Sequence, residues 1–433
     1  MKVFKFGGAS IKDAASVKNV ANILRDNLHE PLVVVISAMD KMTNAFELLA
    51  DHAFANRMKE AEEQLNRIRD FHLNILNELF QDTSHAIFKK VDVLFEEITG
   101  ITALKEKGSF NAFYDLLVPY GELLSTSITS ACLKISGFEH TLADARTFIH
   151  TDNNYRNARV IWEDTITSVN KKILPLISGN SQPYHFVLSQ GFIGSDPDGH
   201  STTLGREGSD YTAAILAFAL NADEVLIWKD VPGLMNADPK IFPESVKIDK
   251  LSYSDAIELA YYGAKIIHPK TIKPLQNKDI PLIVKSFENP ADTGTYISES
   301  EERYETVPQY IFKFNQILIS LTPRDFSFIN EENLFDIFGI FTKYRVHINL
   351  MQNSAISFSV CIDDKADFGS FITALQENYR VKYNRGLELI TIRNYNELNI
   401  ENVVNKRVIL LEQRSRATVQ LVVASETDNY LQG

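Results

Sequence analysis

The sequence predicts an α/β protein, with a three-layer αβα sandwich around a mostly parallel sheet, followed by two ferredoxin-like domains, the second truncated. Three observations carry this. Apolar runs of strand length alternate with helix-forming stretches across the first two thirds of the chain. Runs such as Leu32–Ile36 are continuously apolar, as a parallel strand covered on both faces must be. Beyond residue 310 the rhythm shortens to strand, helix, strand, strand, helix, strand.

Lys2 to Phe6 alternates as a short strand, and Gly7-Gly-Ala-Ser10 turns it into a helix near Asp13 to Asn27. A first strand, a glycine loop and a helix make a natural phosphate cradle. Lys5 lies at the carboxyl end of that strand, where open α/β sheets bind ligands; it reads equally well as a surface lysine beside a turn. After Leu32–Ile36, Ser37 and Thr43 sit where hydroxyls could bond a substrate or cap the next helix. Residues 41 to 99 hold neither glycine nor proline and carry apolar positions at helical spacing, which predicts a helical insertion over about 41–107. His72 and His85 within it read as solvated or packing residues. Gly121-Glu-Leu-Leu-Ser125 opens a helix with Glu122 in its first turn, favoured by the helix dipole or by a substrate ammonium.

The most informative stretch is Ser201-Thr-Thr-Leu-Gly-Arg-Glu-Gly-Ser-Asp210. It lies between the apolar run His185–Ser189, with Gln190-Gly-Phe-Ile-Gly194, and the helix-forming Ala213–Leu220. Gly205 and Gly208 let backbone approach a ligand, and Ser209 or Asp210 can cap the helix. The free N–H groups of that helix favour an anion, and Arg206 adds a two-pronged donor for phosphate or carboxylate. Alone, this pattern is equally an ordinary strand-to-helix loop. Glu224–Trp228 is the next strand, and the turn-rich Lys229–Pro239 leaves its carboxyl end. A helix over Tyr253–Tyr262, a second short helix and the strand Pro281–Lys285 follow.

The expected domains are a catalytic domain over 1–297, a linker over 298–309, one ferredoxin-like domain over 310–385 and a truncated second one over 386–433 with a frayed tail. The linker is announced by Asn289-Pro, Asp292-Thr-Gly294 and the acidic Ser298–Glu302. Strands are expected at Gln316–Leu321, Val346–Met351, Ala355–Ile362, Tyr379–Tyr383 and Leu387–Arg393.

Composition excludes several classes. Of 433 residues, 45% are hydrophobic and 23% charged, as in ordinary globular proteins. A net charge of −12 argues against a nucleic-acid surface, and no apolar run approaches membrane-spanning length. Cys132 and Cys361 lie in different expected domains, which speaks against a disulfide scaffold. Lys2-Val-Phe-Lys5 leads straight into glycines rather than a secretory signal, so the cytoplasm is the expected compartment.

Taken together, the motifs resemble the aspartate kinases of the amino-acid kinase superfamily with C-terminal ACT domains. The resemblance runs over residues 1 to 425. It is carried by Lys5-Phe-Gly-Gly-Ala-Ser10, Val35–Met39 with Thr43-Asn44, Gly121-Glu122 and Gln190–Gly194. Thr202–Arg206 with Gly208-Ser-Asp210, Ile227-Trp228 with Asp230–Gly233, Gly263-Ala-Lys265 with His268-Pro269, and Gly294-Thr295 complete it. The resemblance implies transfer of the γ-phosphoryl of ATP, with Mg2+, to the β-carboxylate of L-aspartate, the step that opens lysine, methionine and threonine biosynthesis. Catalytic roles would fall to Lys5, Gly7, Gly8 and Asp210. Glu122 would take the substrate ammonium and Arg206 its α-carboxylate, within a pocket completed by Ser37, Thr43, Phe192 and Ser209. Lys229, Asp230, Met235, Lys240 and Lys265 match nucleotide positions. No metal ligand is identified, since Mg2+ can ride on the phosphates. A homodimer through the ACT domains is implied.

The chain departs from that pattern in places. Ala9 stands where threonine is usual and Glu207 where glycine is usual. Lys229, Met235 and Lys240 replace threonine, tyrosine and arginine. In the first ACT-like domain the usual Val-Asp and Ser-Glu of an effector site read Ile348-Asn349 and Ser354-Ala355, which predicts weak or absent lysine feedback. Rival readings are a glutamate or carbamate kinase, disfavoured by the ACT-like tail and Gly121-Glu122, and a catalytically weak or inactive amino-acid-binding regulator, whose support is Glu207 and Ala9.

Overall fold

A computed structural model describes residues 1–178, 185–264, 267–299, 307–325, 327–364 and 368–424. Two compact units emerge: Met1–Leu234, Lys247–Ile257 and Lys265–Glu302 form the first, and Met235–Val246, Glu258–Ala264 and Arg303–Gly433 the second.

The chain begins with β1 (Lys2–Phe6), α1 (Ala14–Asn27) and β2 (Leu32–Ile36), then five helices, α2 (Met42–Phe54), α3 (Met58–Leu79), α4 (Ala86–Thr102), α5 (Phe110–Leu117) and α6 (Tyr120–Ile135). Next come β3 (His140–Ala143), α7 (Trp162–Lys172), α8 (Leu174–Ser178), β4 (Phe186–Gln190), a hairpin of β5 (Ile193–Ser195) and β6 (Ser201–Thr203), α9 (Gly208–Leu220) and β7 (Glu224–Lys229). The short ladder β8 (Leu234–Met235) and β9 (Lys247–Ile248) precedes β10 (Lys250–Ser252), α10 (Tyr253–Tyr262), α11 (Pro269–Gln276), β11 (Leu282–Ser286) and β12 (Thr295–Ser298).

Eight strands form one sheet in the order β10-β12-β11-β7-β1-β2-β4-β3. Every neighbouring pair is parallel except β11 with β12. All five residues of β2 are buried, so its unbroken apolar run reflects a central strand covered on both faces. Helices α6 and α9 are buried along most of their length. α6 manages this with hydroxyls that turn inward: Thr126 Oγ1 donates to the Glu122 carbonyl at 2.7 Å. Within the expected insertion at about 41–107 lie three helices, α2 to α4, and α5 follows it. In it His72 is a packing residue, its ring against Phe71 and Phe95 and its pKa pushed down to about 4 by burial. His85 caps α4 by accepting the Ile87 N–H.

The second unit carries β13 (Gln309–Pro323), α12 (Glu331–Lys343), β14 (Ile348–Asn353), β15 (Phe358–Asp363), α13 (Phe368–Asn378), β16 (Tyr379–Arg393), α14 (Glu397–Val404), β17 (Ile409–Arg414) and β18 (Thr418–Ala424). Its antiparallel sheet runs β14-β15-β13-β16-β18-β17. Two strands are much longer than expected. β13 begins at Gln309 and continues through irregular pairing around Asn315, which has φ 53°, and β16 unites two expected strands. The expected boundary at residue 385 therefore lies inside one strand. Leu389–Arg393 pairs on one side with Gln309–Lys313 and on the other with β18. The first half of β13 thus occupies the fourth-strand position of the second ferredoxin-like arrangement, whose own chain carries one helix among the described residues. Residues 300–306 of the expected linker and the tail from 425 lie outside the described residues.

Candidate active site

The carboxyl ends of β1, β2 and β7 lie side by side, with Phe6 in register between Ile36 and Trp228. Beyond them a cavity of 590 Å3 opens, as the parallel topology requires. Its lining includes Lys5, Gly7, Gly8, Ser37, Thr43, Glu122, Phe192, Arg206, Ser209, Asp210, Lys229 and Asp230. The structure thus brings together every residue expected for catalysis and substrate binding, with two of the five expected at the nucleotide. Met235 and Lys240 fall in the second unit, and Lys265 lies outside the described residues.

A charge cluster lines the cavity, with Lys5 and Asp210 buried and Lys229 half-buried. Lys5 Nζ lies 2.5 Å from Asp210 Oδ1, and Lys229 Nζ 3.7 Å from Asp210 Oδ2. Burial would raise the Asp210 carboxyl, but Lys5 first and then Lys229 outweigh it and hold it below the usual range. Asp210 stays ionised and fixes two ammonium groups at the mouth of α9. The expectation that Ser209 or Asp210 caps α9 is corrected here. Both lie inside its first turn, and the cap position is Glu207, which makes no side-chain cap bond. Ser209 instead accepts from Ser37, Oγ to Oγ 2.8 Å, and Asp210 serves the two lysines.

Glu122 stands in the first turn of α6, 1% exposed. Its Oε1 accepts the Ala38 N–H at 3.2 Å, and its Oε2 has no hydrogen-bond partner. Burial pushes this carboxyl up to about 8, against the lowering effects of the Ala38 N–H and the Lys5 charge. When ionised, it would offer that unmatched oxygen to a cation.

Glycines let the loop after β1 close onto its neighbours. A Cβ on Gly8 would sit 2.5 Å from the Asp40 carbonyl oxygen and 2.9 Å from that of Ala38. A Cβ on Gly7 would sit 3.2 Å from Lys5 Nζ. Glu207 has φ 54°, which explains why a glycine suits this position in the family pattern. Its Oε2 accepts the His268 N–H at 2.7 Å, at the entrance to α11. The carboxylate is therefore committed to a helix terminus although the residue lines the cavity.

Sequence reasoning missed four contributors. Glu47, Tyr114 and Arg156 line the same cavity, and the Tyr114 hydroxyl donates to Glu47. The fourth, Asp115, is fully buried. It accepts the Arg156 N–H at 3.0 and 3.1 Å, the Thr203 N–H at 2.8 Å and the Thr203 hydroxyl at 2.7 Å. Burial, resisted by these bonds, raises its pKa to about 6. A carboxylate on α5 gave no sign of bonding to β6; the available signal was Asp115 among the apolar positions of that helix, where an unpaired charge would be costly.

A second cavity, of 690 Å3, belongs to the second unit and is lined by Tyr261, Tyr262, Arg345, His347, Asn349 and Gln413 among others, with no carboxylate. Asn349 is already engaged: it accepts from Lys313 Nζ at 2.8 Å and donates to Gln316 and Asp363, both at 2.8 Å. Asp196, Asp198 and His200 form a cluster with metal-ligand spacing among the described residues, outside the first cavity's lining. No helix among the described residues is long and apolar enough to cross a membrane.

Sheet order, glycine cradle and a lysine-bound aspartate at a helix mouth define an amino acid kinase. The model of the amino acid kinase family matches residues 1–286, so the chain belongs to that family. Its relatives include aspartokinases. The lysine-sensitive aspartokinase 3 of Escherichia coli is 30% identical over 90% of this chain and 86% of its own. The structure of E. coli aspartokinase III with lysine and aspartate (T-state) superposes with a TM-score of 0.81, at 29% identity, covering 98% of this chain and 96% of that one. Its complex with aspartate and ADP (R-state) gives a TM-score of 0.79 at 28% identity, with the same coverage.

Proposed function

We infer that the chain is an aspartate kinase, transferring the γ-phosphoryl of ATP to the β-carboxylate of L-aspartate. The observation that carries this is the Lys5–Asp210–Lys229 cluster lining one cavity with Glu122 and Arg206. Phosphoryl transfer asks for positioning and charge neutralisation, and a carboxylate is already a nucleophile at neutral pH, so no strong base is needed. Lys5, oriented by Asp210, neutralises charge on the transferring group, and the backbone around Gly7 and Gly8 cradles it. The unmatched oxygen of Glu122 receives the substrate ammonium. Arg206 holds the α-carboxylate as a fork, and Ser37, Thr43, Phe192 and Ser209 enclose the rest.

Lys229 and Asp230, which line the same cavity, serve the nucleotide. Mg2+ would be carried by the ATP phosphates and would neutralise their charge, since the buried Asp210 is already engaged by two lysines. The product feeds lysine, methionine and threonine biosynthesis in the cytoplasm, and the ACT-like unit supports a homodimer. Lysine feedback is weak or absent: the second unit's cavity offers no carboxylate to a cationic side chain, and Asn349 is occupied within its own network. The inactive-regulator reading loses support because the Glu207 carboxylate bonds to His268.

A hydroxamate assay tests the reading. Protein, ATP, Mg2+ and L-aspartate are mixed with hydroxylamine to trap acyl phosphate. Product that depends on aspartate is expected; its absence, with a folded protein, overturns the assignment.

A further inference from the structure

Among the described residues, twelve non-glycine positions have positive φ, and seven are Asn or Asp, which tolerate that conformation. Of the other five, Arg156 (φ 68°), Phe192 (φ 70°) and Glu207 (φ 54°) line the first cavity. Left-handed backbone at a residue with a long side chain persists where the surroundings enforce it, and such positions gather at binding sites. At Arg156 the enforcement is visible. The buried Asp115 carboxylate accepts its N–H with both oxygens and ties the same turn to Thr203.

The side chain is aimed as firmly as the backbone. Its guanidinium lies 4.5 Å from the centroid of the Tyr114 ring and 5.4 Å from that of Phe110. Tyr114 is itself held by its hydroxyl bond to Glu47. The turn backs directly onto Gly205, where an added Cβ would lie 2.8 Å from Asn157 Oδ1 and 3.2 Å from the Arg156 carbonyl oxygen. Gly205 precedes Arg206. Arg156 and Arg206 therefore line the same cavity and stand on backbone segments that touch.

We propose that Arg156 is a second guanidinium for the α-carboxylate of the acidic amino-acid substrate, working beside Arg206. The proposal rests on the kinase reading above. Stacking on Tyr114 leaves the edge of the guanidinium, with its N–H groups, available to a carboxylate in the cavity. Two arginines in one cavity make recognition of the α-carboxylate stricter than one would.

The test uses the full chain and the variants Arg156→Gly and Arg156→Lys. Binding of L-aspartate is measured by calorimetry without nucleotide, beside binding of L-aspartate α-amide, which keeps the β-carboxylate and ammonium but lacks the α-carboxylate. Turnover of both is then measured in the hydroxamate assay. Arg156→Gly should weaken L-aspartate binding about tenfold and change binding of the α-amide less than about twofold. The fall in kcat/KM for L-aspartate should be carried mainly by KM. Arg156→Lys, which keeps the charge and loses the fork, should fall between. The Tm of Arg156→Gly should hold or rise, because glycine suits φ 68°; a merely structural arginine would lower Tm and leave the preference between the two ligands untouched. Equal losses for both ligands, or none for either, overturn the proposal. Aspartate binding that follows this pattern without any trapped acyl phosphate overturns the kinase reading and leaves the role of Arg156 in carboxylate binding standing.

Discussion

Replacing Glu122 by Gln tests the ammonium-receiving role proposed for it, and pH is the variable that shows it. The free protein holds the Glu122 carboxyl at about 8 because burial opposes its charge. Receiving an ammonium requires the carboxylate, so only the ionised fraction binds. That fraction is roughly one in a hundred at pH 6, one in eleven at pH 7 and one half at pH 8. The kcat/KM for L-aspartate should therefore rise about fiftyfold from pH 6 to pH 8 and flatten above it. Glu122→Gln should show no such limb. At pH 9 it should lie roughly 10- to 100-fold below the parent, the worth of one charge-assisted contact, and the two should converge towards pH 6. Aspartate binding at pH 7 should release about 0.9 proton, read from calorimetry in two buffers of different ionisation enthalpy. The same group sets a stability trend. Its folded-state value exceeds the ordinary 4.5, so the folded form holds more protons than the unfolded one between about 4.5 and 8. Stability of the unliganded protein should thus fall through that window, less so in Glu122→Gln. A flat parent profile between pH 6 and 9, or the same rise in Glu122→Gln, refutes the assignment.

Gly8→Ala should lower kcat/KM about 100-fold, because its methyl would press on the Asp40 and Ala38 carbonyls at 2.5 and 2.9 Å and push the cradle out of place. Steady-state rates beside a melting curve check it, and near-parent activity would remove Gly8 from the cradle. At position 207 the backbone argument predicts that Glu207→Gly is more stable than Glu207→Ala by about 1 kcal/mol, since φ is 54° in both; equal melting temperatures would show that the turn relaxes. Lysine below millimolar concentration should leave turnover unchanged, and inhibition there would mean that the second unit recognises a cation without a carboxylate in its cavity.

What could be read beforehand follows from how local each signal is. β1, β2 and β7 announce themselves because buried parallel strands are apolar throughout, and the cavity lies where their ends meet. Lys5, the Gly7-Gly8 turn and Asp210 were legible because glycines and a helix start mark the backbone that brings them together. Long strands β13 and β16 were read as shorter pieces because Asn315 and Gly386 have positive φ and look like turns, whereas the ladder runs past them. Arg156 and Asp115 were silent for a different reason. Their meaning lies in contacts across 41 and 88 residues of chain, and no local pattern encodes a carboxylate that grips two distant loops. A backbone conformation that an arginine adopts at a cost is visible only once the fold is known. That conformation is independent of the family motifs, so it gives the place of Arg156 in the cavity a physical argument of its own.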